Sequence, residues 1–113
     1  MSVGMQRPME FNKIWISSRF RVQLIKLGIE KAGSVNELGR QLGYRPRVHP
    51  GWGVLQIMQG KQAFPLPRLK LLADFLEYPL DDILRYATQP TRITLESTKT
   101  ALVMYGLSGY VPR

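Results

Sequence analysis

From residue 19 onward apolar side chains recur every three or four positions, in short runs cut by glycine and proline. Phe20, Leu24, Leu27 and Lys31 fall at helical spacing, and Val22, Ile25 and Ile29 widen the apolar surface, so residues 19–32 predict a helix. Ser17 and Ser18 suit its N-cap and Gly33 its C-cap. Gly28 weakens that helix by about 1 kcal/mol relative to alanine; it has room for close packing, which the sequence alone does not show. Ser34 with Glu37 three residues on reads as a capping box. Val35, Leu38, Gly39 and Leu42 then line one face, and Gly43 ends the second helix. Residues 44–49 form a loop holding Arg45, Pro46 and Arg47. Pro50 suits the first turn of a third helix over 50–60, with Val54, Ile57 and Met58 inward and Gly60 as the stop. Phe64 and Pro65 lead to a fourth helix with Pro67 near its start and Leu69, Leu72, Ala73 and Leu76 on its buried side. Tyr78-Pro79 breaks the chain. Asp81 and Asp82 open a short fifth helix, where the helix dipole favours acids.

The two ends read differently. Residues 1–7 look like a loose tail, and Phe11 to Ile16 is short, aromatic and β-branched, which predicts a strand or extended arm. Residues 92–97 alternate Ile93 and Leu95 with Arg92, Thr94 and Glu96, and residues 101–107 form a second β-prone run before the turn residues Ser108 and Gly109. Residues 92–113 therefore read as a hairpin or extended arm. The expected fold is mostly α, with an N-terminal tail and strand over 1–16, a five-helix body over 17–87, and an extension over 88–113. No internal repeat or low-complexity segment occurs.

Charge sharpens this picture. The 113 residues fit one domain and carry a net charge of +8 with a pI near 10.2, which favours a polyanionic partner, nucleic acid or an anionic membrane surface. The charge is unevenly spread. The stretch to Gly33 has six bases and two acids, and residues 34–62 have Arg40, Arg45, Arg47 and Lys61 against Glu37 alone. Residues 63–88 have three bases against Asp74, Glu77, Asp81 and Asp82. One end of the molecule is expected to be electropositive and the other neutral to acidic. There is no cysteine and a single histidine, His49, so disulfides, thiol catalysis and zinc-thiolate sites are excluded. A reducing, cytoplasmic setting is compatible with that composition. No apolar run approaches the roughly 20 residues of a membrane span, and residues 1–10 have no secretory apolar core. No Gly-rich phosphate loop appears, and His49 has no evident serine and acid to work with, so an enzyme, a cofactor site and a metal site are not expected.

Two helices joined by a turn, the second offering polar side chains outward, make a helix-turn-helix, whose second helix fits the major groove of DNA. The residues Glu37-Leu38-Gly39-Arg40-Gln41-Leu42-Gly43, then Val54, Ile57 and Gly60-Lys61, then Pro65, Leu69, Leu72-Ala73, Leu76 and Leu80-Asp81-Asp82-Ile83-Leu84, resemble the Cro and lambda-repressor class of five-helix DNA-binding domains. The resemblance covers residues 19–86. It departs between Gly43 and Val54, where the family has a tight turn of about three or four residues, and at Met58, where an acidic or polar residue is often found.

Carried over by position, the outward face of the third helix is Trp52, Gln56 and Gln59. Gln56 has the chemistry to bond adenine at N6 and N7, and is otherwise a solvated helix residue. Trp52 is either an anchor packed under the loop or a wedge and thymine-methyl contact. Ser34 is a structural cap that also stands where the family touches a phosphate. Arg45 and Arg47 have no acid partner nearby in sequence and are candidates for gripping the backbone, while Lys61 and Gln62 are further phosphate candidates. The resemblance implies a DNA-binding transcriptional regulator acting as a homodimer on half-sites about 34 Å apart, with segments 11–16 and 92–113 as a dimerising sheet. On that reading a chain stopped after Ala87 stays folded as a weakly binding monomer. Two other readings stay open. The loop with Tyr44, Arg45, Arg47 and Trp52 suits single-stranded nucleic acid or RNA, and an antitoxin-like adaptor would dock a protein through exposed Leu107, Tyr110 and Val111.

Overall fold

A computed structural model describes residues 12–112. The expected tail at 1–7, the charges of Arg7 and Glu10, and Phe11 lie outside them. The described chain is mostly helical, with six α-helices and one two-stranded sheet. In order they are β1 (Lys13–Ile14), α1 (Ser18–Ala32), α2 (Val35–Gln41), α3 (Trp52–Met58), β2 (Phe64–Pro65), α4 (Leu66–Leu76), α5 (Leu80–Leu84) and α6 (Leu95–Met104).

α1 is the central element and packs against α2, α3, α4 and α6. It buries Val22, Leu24, Ile25 and Gly28, while Leu27 lies at the surface. A Cβ at Gly28 would stand 3.0 Å from side-chain carbons of both Leu38 and Leu72, so the packing there is close. Gly33 closes α1 at φ 107°, donating to Ile29 O at 2.8 Å, a left-handed position that glycine occupies without strain. Leu38, Leu42, Val54, Ile57, Met58, Leu69, Leu72 and Ile83 complete the core as their spacing implies, with Leu76 only half-buried. Each large aliphatic side chain taken from water contributes about 1.5–3 kcal/mol.

The strand expected within residues 11–16 is present as β1, while the C-terminal segment departs from expectation. β1 pairs antiparallel with β2, Lys13 opposite Pro65 and Ile14 opposite Phe64, and Ile16 bridges Ala87. Segment 12–17 thus pairs with its own chain along one edge. Residues 92–112 form no hairpin. Thr94 Oγ1 accepts from Ser97 N at 3.0 Å, and Ser97 Oγ accepts from Thr94 N at 3.1 Å. This reciprocal cap starts α6, which buries Thr98, Ala101 and Leu102 against the core. Leu107, Tyr110 and Val111, expected to be free for a partner, are half-buried against the same core. Residues 88–112 are part of the body, and the C-terminal segment contributes a helix where a strand was expected.

Arg21 joins these parts. It is 2% exposed. Nη1 donates to Ile16 O at 2.8 Å and to Ser18 Oγ at 3.3 Å, while Nη2 donates to Met58 O at 3.2 Å and to Thr98 Oγ1 at 3.1 Å. No described carboxylate lies within 4 Å of it. Burial pulls its pKa below the ordinary arginine value, to about 10, so it stays charged at neutral pH. The cost of burying that charge is fully present below about pH 10 and is relieved only as pH rises above it toward the ordinary arginine pKa.

Two outcomes follow for stability. A chain stopped after Ala87 loses Ala101 and Leu102 from the core and the Thr98 partner of Arg21, and is expected to show no cooperative thermal transition by circular dichroism. A melt matching that of the full chain would contradict the assignment of α6 to the core. Arg21→Ala leaves buried carbonyls without donors, and is expected to lower the unfolding free energy by about 3 kcal/mol in urea titration.

Candidate nucleic-acid interface

α2 and α3 meet through glycine. A Cβ on Gly39 would lie 2.0 Å from Pro50 O, and one on Gly51 would lie 2.4 Å from Val35 Cγ1. Asn36 Oδ1 accepts from Gly51 N at 3.0 Å. The segment entering α3 is therefore seated on α2, although the loop before it is longer than a tight turn. Pro50 is buried in that turn and the helix starts at Trp52, so the first-turn role expected for Pro50 is not realised, and α3 spans 52–58 instead of 50–60. Ser34 caps α2 by accepting from Glu37 N at 3.0 Å, but only half of the capping box forms, because the Glu37 carboxylate pairs with Arg40.

The side chain under the loop is Tyr44, not Trp52. A Cβ on Gly53 would lie 2.4 Å from Tyr44 Cε1, and the Arg68 guanidinium sits 3.9 Å from the centre of the Tyr44 ring while donating to Leu42 O. Burial raises the Tyr44 pKa from its ordinary 10.0, opposed by the Arg68 charge. With Tyr44 pinned, the extra residues Arg45, Pro46, Arg47, Val48 and His49 are all exposed.

Val54, Ile57 and Met58 turn α3 inward as expected. On its other side Trp52 is 58% exposed, which overturns its reading as a packed anchor. Gln56 is half-buried, with no side-chain hydrogen bond among the described residues. Gln59 is engaged, its Nε2 donating to Tyr110 O at 2.8 Å, so this candidate reader braces the C-terminal segment. Ser34, Asn36, His49, Trp52, Leu55 and Tyr110 surround a groove of about 510 Å³ beside α3. The fold thus gathers Ser34 and Trp52 at one end of α3, with the Arg45–Arg47 loop rising next to them. Lys61 and Gln62 are exposed at the other end. Gln62 lines a second groove of similar volume with Asn12, Lys13, Trp15, Ala63 and Pro65.

Some of the surface cations are paired with acids. Lys26 pairs with Glu30 at 3.8 Å, Lys31 with Glu77 at 3.8 Å, and Arg85 with Asp82 at 3.9 Å. Such exposed pairs contribute about 0.2–1 kcal/mol each to stability, but they neutralise cations of α1 and the α5 end. Arg45, Arg47 and Lys61 have no described carboxylate within 4 Å, a condition they share with the exposed Lys13, Arg19, Lys70, Arg92 and Lys99. Sequence reasoning missed Asn36, Tyr44, Arg68 and Tyr110 as the residues that fix this surface. Their partners are backbone groups or rings brought close only by folding, and no local pattern announces them.

No described helix is long and apolar enough to cross a membrane. The chain matches no protein-family model, no curated protein and no solved structure.

Gly39→Ala is expected to cost about 1–3 kcal/mol, because the Pro50 carbonyl must move, while Gly109→Ala, with nothing within 4 Å, leaves stability unchanged. Denaturant midpoints of the two variants check this. Equal midpoints would mean that the α2–α3 approach is looser than described.

Proposed function

We propose that this chain binds nucleic acid through α3 and the basic loop before it, with double-stranded DNA as the target and transcriptional regulation as the role. The observation that carries this is the exposed basic loop before α3, with Arg45 and Arg47, together with the exposed Trp52 on α3 and Lys61 beyond its far end, none of these cations lying within 4 Å of a described carboxylate. The resemblance of residues 19–86 to the Cro and lambda-repressor class supports the same reading, as does the seating of α3 on α2. In it, Gln56 and Trp52 meet base edges, with Trp52 against a thymine methyl. Arg45, Arg47, Lys61 and Gln62 hold phosphates, and Ser34 adds a phosphate contact to its capping role. Gln59 contributes only after release from Tyr110. The protein is a binder and not an enzyme, it works in the cytoplasm, and two copies read a symmetric site.

A second reading keeps the surface and changes the strand. Trp52 is a large, exposed ring beside two arginines, the combination on which unpaired bases stack.

Fluorescence anisotropy with labelled duplex DNA, single-stranded DNA and RNA, from about 50 to 300 mM salt, separates these. Duplex is expected to bind tightest, with log K falling linearly against log salt. Replacing Arg45 and Arg47 together by alanine is expected to reduce that slope by about 2. Equal or tighter binding of single strands would establish the second reading. No binding of any of the three at low salt would overturn both.

A further inference from the structure

We propose that the β1–β2 ribbon is a second nucleic-acid contact, gripping the sugar–phosphate backbone just beyond the bases that α3 faces. This inference rests on the nucleic-acid reading above. Antiparallel pairing of Lys13 with Pro65 lays β1 beside the chain as it leaves α3. The groove of about 510 Å³ that opens there is lined by Asn12, Lys13, Trp15, Gln62, Ala63 and Pro65.

Its chemistry points to one kind of occupant. Two side-chain amides, an ammonium and an indole N–H line it, Lys61 adjoins it in sequence, and no carboxylate does. Among the described residues none of these side chains is engaged in a hydrogen bond. Phosphate ester oxygens accept from every one of these donors. The indole, Ala63 and Pro65 supply an apolar wall for a sugar. Position strengthens the case. Three residues of chain, no more than about 10 Å, separate Gln59 at the end of α3 from Gln62. That is about three nucleotides along one strand of a duplex, so a strand lying along α3 continues past this groove.

Lys13 is exposed, and the chain's two tryptophans, Trp15 and Trp52, can be observed one at a time. Lys13→Ala in the full chain is expected to reduce the salt slope for duplex DNA by about 1 and to weaken binding evenly across sequences. Lys99→Ala, on α6 outside both grooves, leaves the slope unchanged. In a Trp52→Phe background the emission of Trp15 is expected to change on adding duplex. If duplex binds but Lys13→Ala keeps the parent slope and Trp15 emission does not respond, the ribbon contact is overturned while the reading of α3 stands. If the unaltered protein binds no nucleic acid, the reading of α3 fails and this inference falls with it.

Discussion

The arrangement of every element around α1 depends on one guanidinium that has no counter-ion among the described residues. Arg21 answers its charge with backbone and hydroxyl oxygens: Ile16 O from the segment after β1, Met58 O at the end of α3, and Thr98 Oγ1 on α6. The Met58 carbonyl lies where the dipole of α3 is negative, a favourable place for a cation. A carboxylate would have satisfied the charge from one direction only. Several oxygens from separate segments satisfy it only when those segments are assembled together. The position of α3, and with it the candidate interface, is therefore coupled to α6 and to the N-terminal ribbon through a single side chain.

A second constraint acts between α2 and α3. Gly39, Gly51 and Gly53 each stand where another side chain would collide with Pro50, Val35 or Tyr44. Backbone contact at three points lets a long insertion be carried without freeing the helix that follows it. The insertion then concentrates its exposure in residues 45–49, and its two arginines stand out from a fixed base. A tight turn would seat α3 equally well but would have no room for those cations.

Much of the helical body was legible, because α1 to α5 bury large aliphatic residues at a clean helical period and are bounded by Gly33, Gly43, Gly60 and Pro79. α6 was illegible for the opposite reason. Its buried face is Thr98, Ala101 and Leu102, while Leu95, Val103 and Met104 are exposed, so its hydrophobic signal points away from its packing. The Thr94–Ser97 cap was there to be read, but the alternation of Ile93 and Leu95 masked it. Arg21 counted as one more surface base, since the carbonyls that hold it have no trace in the sequence. At the candidate site the exposure of Arg45, Arg47, Lys61 and Gln62 followed from local composition. The engagement of Gln59 by Tyr110 and the burial of Tyr44 in place of Trp52 required the tertiary fold. The nearness of Lys13 and Trp15 to Gln62 likewise came only from strand pairing.

The contacts that close the core span most of the chain. Ser18 meets Ser97, and Arg21 meets Thr98, across 79 and 77 residues. Contacts this distant slow a fold whose helices would otherwise assemble rapidly, because the loop entropy must be lost before the contacts form. On the ribosome, α1 emerges early with its buried arginine unsatisfied, and no order of local helix formation supplies the missing oxygens. Completion of this core must wait until residue 102 has left the exit tunnel.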